Sequence, residues 1–148
     1  MSVRLTIIFL LFVRLASAQV FSTGIDPAMA LGGDKNNGKM WDVHIRAGFN
    51  PGSFEFLLLY EEVKKLEFHA YGLQANHVFI KGTFEVAGGM EFIAIERQDN
   101  KLHPAYGFNV EGRWVPDWIG LFYQVNVRRR TELKRFRLSS FLGIIVKF

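Results

Sequence analysis

The chain has no cysteine. That excludes a disulfide scaffold, a Cys-ligated zinc site, a thiol nucleophile and a lipidated cysteine anchor. It has only four prolines. Three fall at breaks between alternating segments and the fourth, Pro27, precedes the first, as strands require. No run of eighteen uncharged apolar residues occurs among its 148 positions, so a helical membrane span is not expected. Charged residues make up only 22% of the chain and aromatics as much as 15%, which excludes a disordered polypeptide. Segments with a helical period of useful length are lacking as well.

What is present begins with a processing signal. Arg4 supplies a short positive region. Leu5 to Val13 is apolar except for Thr6, and Ala16-Ser17-Ala18 is a small-x-small site. Residues 1–18 are therefore expected to be a secretory signal peptide, cut between Ala18 and Gln19. A membrane anchor would need ~20 apolar residues, and Arg14 interrupts this run. Cleavage removes two arginines and no acid, so the net charge falls from +4 to +2. Nucleic-acid binding then has no electrostatic footing and is not expected.

From Met40 onward hydrophobicity alternates with period two. Trp41, Val43, Ile45, Ala47 and Phe49 share one face, and Asp42, His44, Arg46 and Gly48 the other, the pattern of a two-faced strand. The same alternation runs through 53–60, 66–71, 78–86, 106–111, 119–128 and 136–148, with 90–97 as a further strand. In 66–71 and 78–86, opposite the inward Glu67, His69, Lys81 and Glu85, Phe68, Ala70 and Val78 are expected outward. In 90–97, Ile93 and Ile95 are expected outward and Glu96 inward. This makes eight strands. Breaks are expected at Asn50-Pro51-Gly52, Gln74–His77, Gly88-Gly89, Gln98–Pro104 and Pro116-Asp117, with weaker turns at 61–65 and 129–134.

A soluble sandwich and a transmembrane barrel both contain such strands. Here the apolar face is nearly unbroken over three to five positions per strand. The other face mixes charges, Gly, Asn and aromatics, which suits a crowded interior. In hydrocarbon a sheet must close to satisfy its backbone. A spanning strand takes ~9–11 residues, so residues 39–148 hold eight strands with their turns. Trp41, Tyr60, Trp114 and Trp118 lie near strand ends, at the level of interfacial girdles. The expected fold is an all-β, closed, antiparallel, up-and-down transmembrane β-barrel of about eight strands over 39–148. Residues 19–38 lack a sustained period and are expected to be a periplasmic extension, or a plug or docking segment anchored by Phe21, Ile25, Met29 and Leu31.

The signal peptide, the alternating strands and the final strand Phe136–Phe148 resemble the small eight-stranded outer-membrane barrels of Gram-negative bacteria, of the protein A and protein X type. Gln19 after the cut resembles secreted proteins of Bacteroidota. The resemblance implies residence in the outer membrane and both termini in the periplasm. The loops near 50–53, 74–77, 97–104 and 128–135 would then face outward. It also implies that Phe148, Val146 and Ile144 form the signal read by the barrel-assembly machinery.

The function expected is structural or interactive, in the cell envelope, either stand-alone or as an accessory subunit of an outer-membrane complex. Partners expected are outer-membrane lipid and lipopolysaccharide, and other outer-membrane proteins. Arg128, Arg129, Arg130, Lys134 and Arg135 are candidates for glycolipid phosphates, which arginine binds bidentately. Asp42, His44, Arg46, Glu55, Glu67, His69, Lys81, Glu85, Glu96, Glu111, Arg113, Arg128, Arg137 and Lys147 are expected inside. The alternatives are a narrow small-solute channel and a lipid A-modifying enzyme. The latter would use His44 as base, Ser139 as nucleophile and Glu55 or Asp42 as acid. No His-x-Ser, the pattern of deacylases in the family, occurs. His44, His69, His77 and His103 have no close spacing, so no metal is expected; no cofactor is expected either.

Overall fold

The computed structural model describes residues 20–33, 38–96, 101–131 and 134–148. The expected signal peptide lies outside the described residues. Eight antiparallel strands close into a barrel in chain order. They are β1 (Val20–Ile25), β2 (Asp42–Phe49), β3 (Phe54–Val63), β4 (Phe68–Ile80), β5 (Phe84–Glu96), β6 (Leu102–Trp114), β7 (Ile119–Arg130) and β8 (Arg135–Lys147). A short helix, α1 (Pro27–Leu31), follows β1. Asp26 starts it: its carboxylate accepts from the Ala28 and Met29 amides at 2.8 and 3.2 Å, and Pro27 needs no partner at the first position.

The expected number of strands is right because two errors cancel. The segments expected as three strands, 66–71, 78–86 and 90–97, form two, β4 and β5. Gln74–His77 is the middle of β4, not a turn. Its polar residues Gln74 and Asn76 are buried inside the barrel, where polarity marks an interior face rather than a loop. Gly88-Gly89 lies within β5, and a Cβ on Gly89 would fall 1.9 Å from the Ala75 carbonyl oxygen of β4. The turn between these strands is instead at Lys81–Thr83, with Gly82 at φ 147°.

The missing strand is β1, which lies in the segment expected as an extension or plug. It pairs with β2 from Val20↔Gly48 to Ile25↔Val43 and with β8 from Val20↔Lys147 to Ile25↔Leu142. The barrel therefore starts at Val20, not at residue 39. Six residues with a glycine at position 24, ended by Asp26-Pro27, are too short to show a period. They are also shorter than the ~9–11 residues of a full span.

The register fixes two ends. Val20, Lys147 and the turns 50–53, 81–83 and 115–118 lie at one end. The strand ends joined through 26–41, 64–67, 97–101 and 131–134 lie at the other. Of the loops expected to share a side, 97–104 and 128–135 are at the end opposite the termini, but 50–53 is on the termini's own end.

Facing also departs from expectation in β4 and β5. Phe68, Ala70, Val78, Ile93 and Ile95 are buried inside. Glu96 and His69 are on the outer face, and Glu67 and Lys81 sit in turns. Alternation sets which residues share a face, not which face is inner. Here the inner one carries an apolar cluster of Met40, Leu59, Val63, Phe68, Ala70, Ile93, Ile95 and Ala105 toward the end opposite the termini, with Met29 and Leu66 against it.

Candidate functional site

Charged side chains concentrate inside the barrel. Near the termini's end, Arg46 of β2 and Arg113 of β6 share Glu111, two positions from Arg113. Arg46 Nη2 donates to Glu111 at 3.0 Å and Arg113 Nε donates to it at 2.7 Å. Arg46 also donates to Ser22 Oγ at 2.8 Å and to Gln124 Oε1 at 2.5 Å. Arg113 clamps Glu55 of β3 with two bonds of 2.6 and 2.5 Å, and Lys147 pairs with Glu85 and Glu55. Three bases thus meet three acids. Arg46, Glu55, Glu111 and Arg113 are almost fully buried, and buried charges persist only when paired and hydrogen-bonded.

A second group lies nearer the other end. Arg128 of β7 donates to Glu61 of β3 and Glu91 of β5. Neither Glu61 nor Glu91 was expected inside. Glu61 follows Glu55, Leu57 and Leu59 at intervals of two, so extending β3 would have found it. Glu91 was hidden by the reversed facing of β5.

The candidate catalytic residues do not assemble. His44 is buried and lies against Phe141 with ring centroids 4.3 Å apart and the rings tilted by 33°. Among the described residues neither of its ring nitrogens has a hydrogen-bond partner, nor has Ser139 Oγ. Glu55 is held by Arg113. Base, nucleophile and acid are therefore unconnected, whereas a triad needs hydrogen-bond reach. His69 lies on the outer face, where Tyr60 Oη is 3.0 Å from its Nδ1.

The basic stretch is divided by the alternation of β7. Arg128 and Arg130 point inward and are buried, Arg130 with its guanidinium 5.2 Å from the Phe68 ring centre. Only Arg129, Lys134 and Arg135 are exposed, so Arg128 and Arg130 are not surface contacts. The docking anchors are divided too. Phe21 and Ile25 lie on the outer face of β1, Met29 packs against the inner apolar cluster, and Leu31 is exposed. Ile144 and Phe148 face outward at the end of the chain, with Val146 on the same side.

The outer wall is apolar. Phe54, Leu73, Met90, Phe92, Phe108 and Leu138 are among its exposed residues. Trp41 is exposed toward one end and Trp114 and Trp118 toward the other. Across β2 to β6 this wall carries a groove of about 580 Å³ between Phe49, Phe56, Leu58, Phe92 and Phe108.

The molecule is thus an eight-stranded antiparallel barrel with a charged interior and an apolar exterior. It shares this fold with the outer membrane protein Ail of Yersinia pestis, whose backbone was solved in a phospholipid bilayer nanodisc. The TM-score is 0.54 at 11% sequence identity, over 88% of this chain and 99% of that one. No family model and no curated protein matches the sequence.

Proposed function

We propose that the protein is an integral outer-membrane barrel with a structural or interactive role in the cell envelope. The observation that carries this reading is inverted polarity: paired charges inside, a nearly continuous apolar wall outside. In water such a wall would be an aggregation surface far larger than the few hundred Å² a soluble monomer exposes. In a bilayer it is the required surface, and closure leaves few backbone groups unpaired. The likeness to Ail supports the same placement. Both termini then face the periplasm, and the opposite end meets the outside. That end carries Lys39, Lys64, Lys65, Lys101, Arg129, Lys134 and Arg135. These suit the phosphates of an outer glycolipid leaflet, with Arg129, Lys134 and Arg135 replacing the five-residue cluster read from sequence.

The test is membrane fractionation followed by a gel of cold and boiled samples. An outer-membrane band that shifts on boiling is expected. Recovery in the soluble fraction, or a band that does not shift, overturns the reading. Replacing Arg129, Lys134 and Arg135 together with Ser should weaken retention on immobilised lipopolysaccharide and reduce its salt dependence.

A further inference from the structure

The outward side chains of β3 and β4 meet rung by rung. Phe56 pairs with Ala75, Leu58 with Leu73, Tyr60 with Tyr71 and Glu62 with His69. Polarity rises along this ladder toward the end opposite the termini. Its first two rungs are hydrocarbon, the third is phenol, and the fourth joins a carboxylate to an imidazole. On β5 the same rise runs from Met90 and Phe92 to Glu96, which stands beside His69. The two apolar rungs border the groove of the outer wall. Ala75 opens that groove, for it is exposed and stands between two larger partners, Phe56 and Met90.

The polar rungs are joined to one another. Tyr60 Oη lies 3.0 Å from His69 Nδ1, and the same nitrogen is 4.0 Å from a Glu62 oxygen. Tyr71 Oη donates to Glu96 at 3.4 Å. The rings of Tyr60 and Tyr71 pack with centroids 5.5 Å apart. The Glu62 side chain stays 35% exposed, and a carboxylate has about four acceptor sites. From Glu62 down to Phe56 is six residues of β3, or ~20 Å of strand at ~3.3 Å per residue. At a tilt of ~45° this is ~14 Å of depth, half of a ~30 Å hydrocarbon core. The ladder is one leaflet deep.

We propose that it holds one glycolipid molecule of the outer leaflet. An acyl chain lies in the groove over Ala75, and the sugar that carries it rests on Tyr60, Glu62, His69 and Tyr71. The order of polarity matches such a lipid, with hydrocarbon at mid-membrane and hydroxyls toward the surface. Glu62 and Glu96 accept hydrogen bonds from sugar hydroxyls, while their charge turns phosphate away. A phospholipid carries its phosphate directly above its chains and would bring it against these carboxylates. Glycolipid phosphates are met elsewhere on the rim, by Arg129, Lys134 and Arg135.

The inference rests on the glycolipid reading above, and salt separates the two. In ~1 M salt charges are screened beyond ~3 Å, so phosphate contacts weaken, whereas a chain lying in an apolar groove stays. The folded barrel is offered equal amounts of rough lipopolysaccharide and phosphatidylglycerol in micelles, washed in ~1 M ammonium acetate and weighed by native mass spectrometry. One lipopolysaccharide per barrel is expected to remain, also in the variant with Ser at positions 129, 134 and 135. Ala75→Phe, which fills the groove, and Glu62→Ala should each lower the retained fraction about tenfold. Leu138→Phe, on the outer face of β8, keeps it. Loss of all lipopolysaccharide from the unaltered barrel in salt overturns the inference, as does equal retention of phosphatidylglycerol, or undiminished retention in either groove variant. Should a variant not give a heat-shifted band, the competition on the unaltered protein decides. A heat-shifted barrel that binds lipopolysaccharide and is stripped by salt refutes this inference alone; a barrel without the shift refutes the membrane reading.

Discussion

The half of the barrel near the termini and the half at the opposite end differ in what fills them and in what closes their wall. Near the termini all eight strands are present, and Arg46, Glu111, Arg113, Glu55, Lys147 and Glu85 bind one another across the lumen. In the other half β1 is missing from the wall. The filling there is apolar on the β3 to β6 side, around Leu59, Phe68 and Ile93. Toward β7, β8 and β2 it is polar. The comparison teaches that a barrel of this size does not need one kind of core. Both halves combine the two: Phe122, Phe141 and Ile145 cluster beside the ion pairs near the termini, and Arg128 holds Glu61 and Glu91 beside the apolar cluster of the other half.

The largest test of this contrast is Glu111→Gln. It leaves Arg46 and Arg113 buried without their shared carboxylate, at a cost of about 3–5 kcal/mol. Urea unfolding in micelles, followed by tryptophan fluorescence, should show an earlier midpoint. An unchanged midpoint would mean that the network holds nothing together. Next comes Gly143→Val, aimed at the short seam. A Cβ at Gly143 would stand 2.0 Å from the Thr23 carbonyl oxygen of β1, and overpacking of this kind costs about 1–3 kcal/mol. Its effect should be confined to exchange of the β1 amides, with β5 and β6 unaltered. In the unaltered protein the same amides should exchange about tenfold or more ahead of those between β5 and β6, since a six-residue strand opens locally. Uniform protection around the barrel would contradict the contrast. The smallest effect is His44→Phe. Both ring nitrogens lack partners among the described residues, so removing them should be neutral or stabilising by about 1 kcal/mol. A large loss of stability would show that the imidazole has a role the barrel alone does not reveal.

The sequence was readable where one face was apolar throughout. β2, β7 and β8 came within a few residues, and Asp42, His44, Arg46, Glu55, Glu111, Arg113 and Arg128 were expected inside and are inside. Reading failed where the rule linking polarity to turns met an interior that is itself polar. Gln74 and Asn76 look like a loop and are lumen residues in mid-strand. Glycines 88 and 89 look like a turn and are places where neighbouring strands approach. It failed again where both faces are apolar, so that Ile93 and Phe92 exchanged sides. The basic run 128–130 shows the same limit: residues adjacent in sequence are separated by the thickness of the wall. The step between β1 and β8 leaves no sequence signal either, because it arises from the length of one strand relative to the other.

The unequal strands also bear on how the barrel is made. Seven of its eight pairings join consecutive strands, most through short turns, and such local contacts form early and cheaply. The eighth brings Val20 to Lys147, nearly the full length of the described chain. It must wait until the intervening sheet has curled round. It also offers only six paired residues, as few as β1 makes with β2, in return for the largest loss of chain freedom. Loop-closure cost makes this seam the last expected to form, and an unfinished barrel would present an eight-stranded sheet with two open edges to whatever assists its insertion.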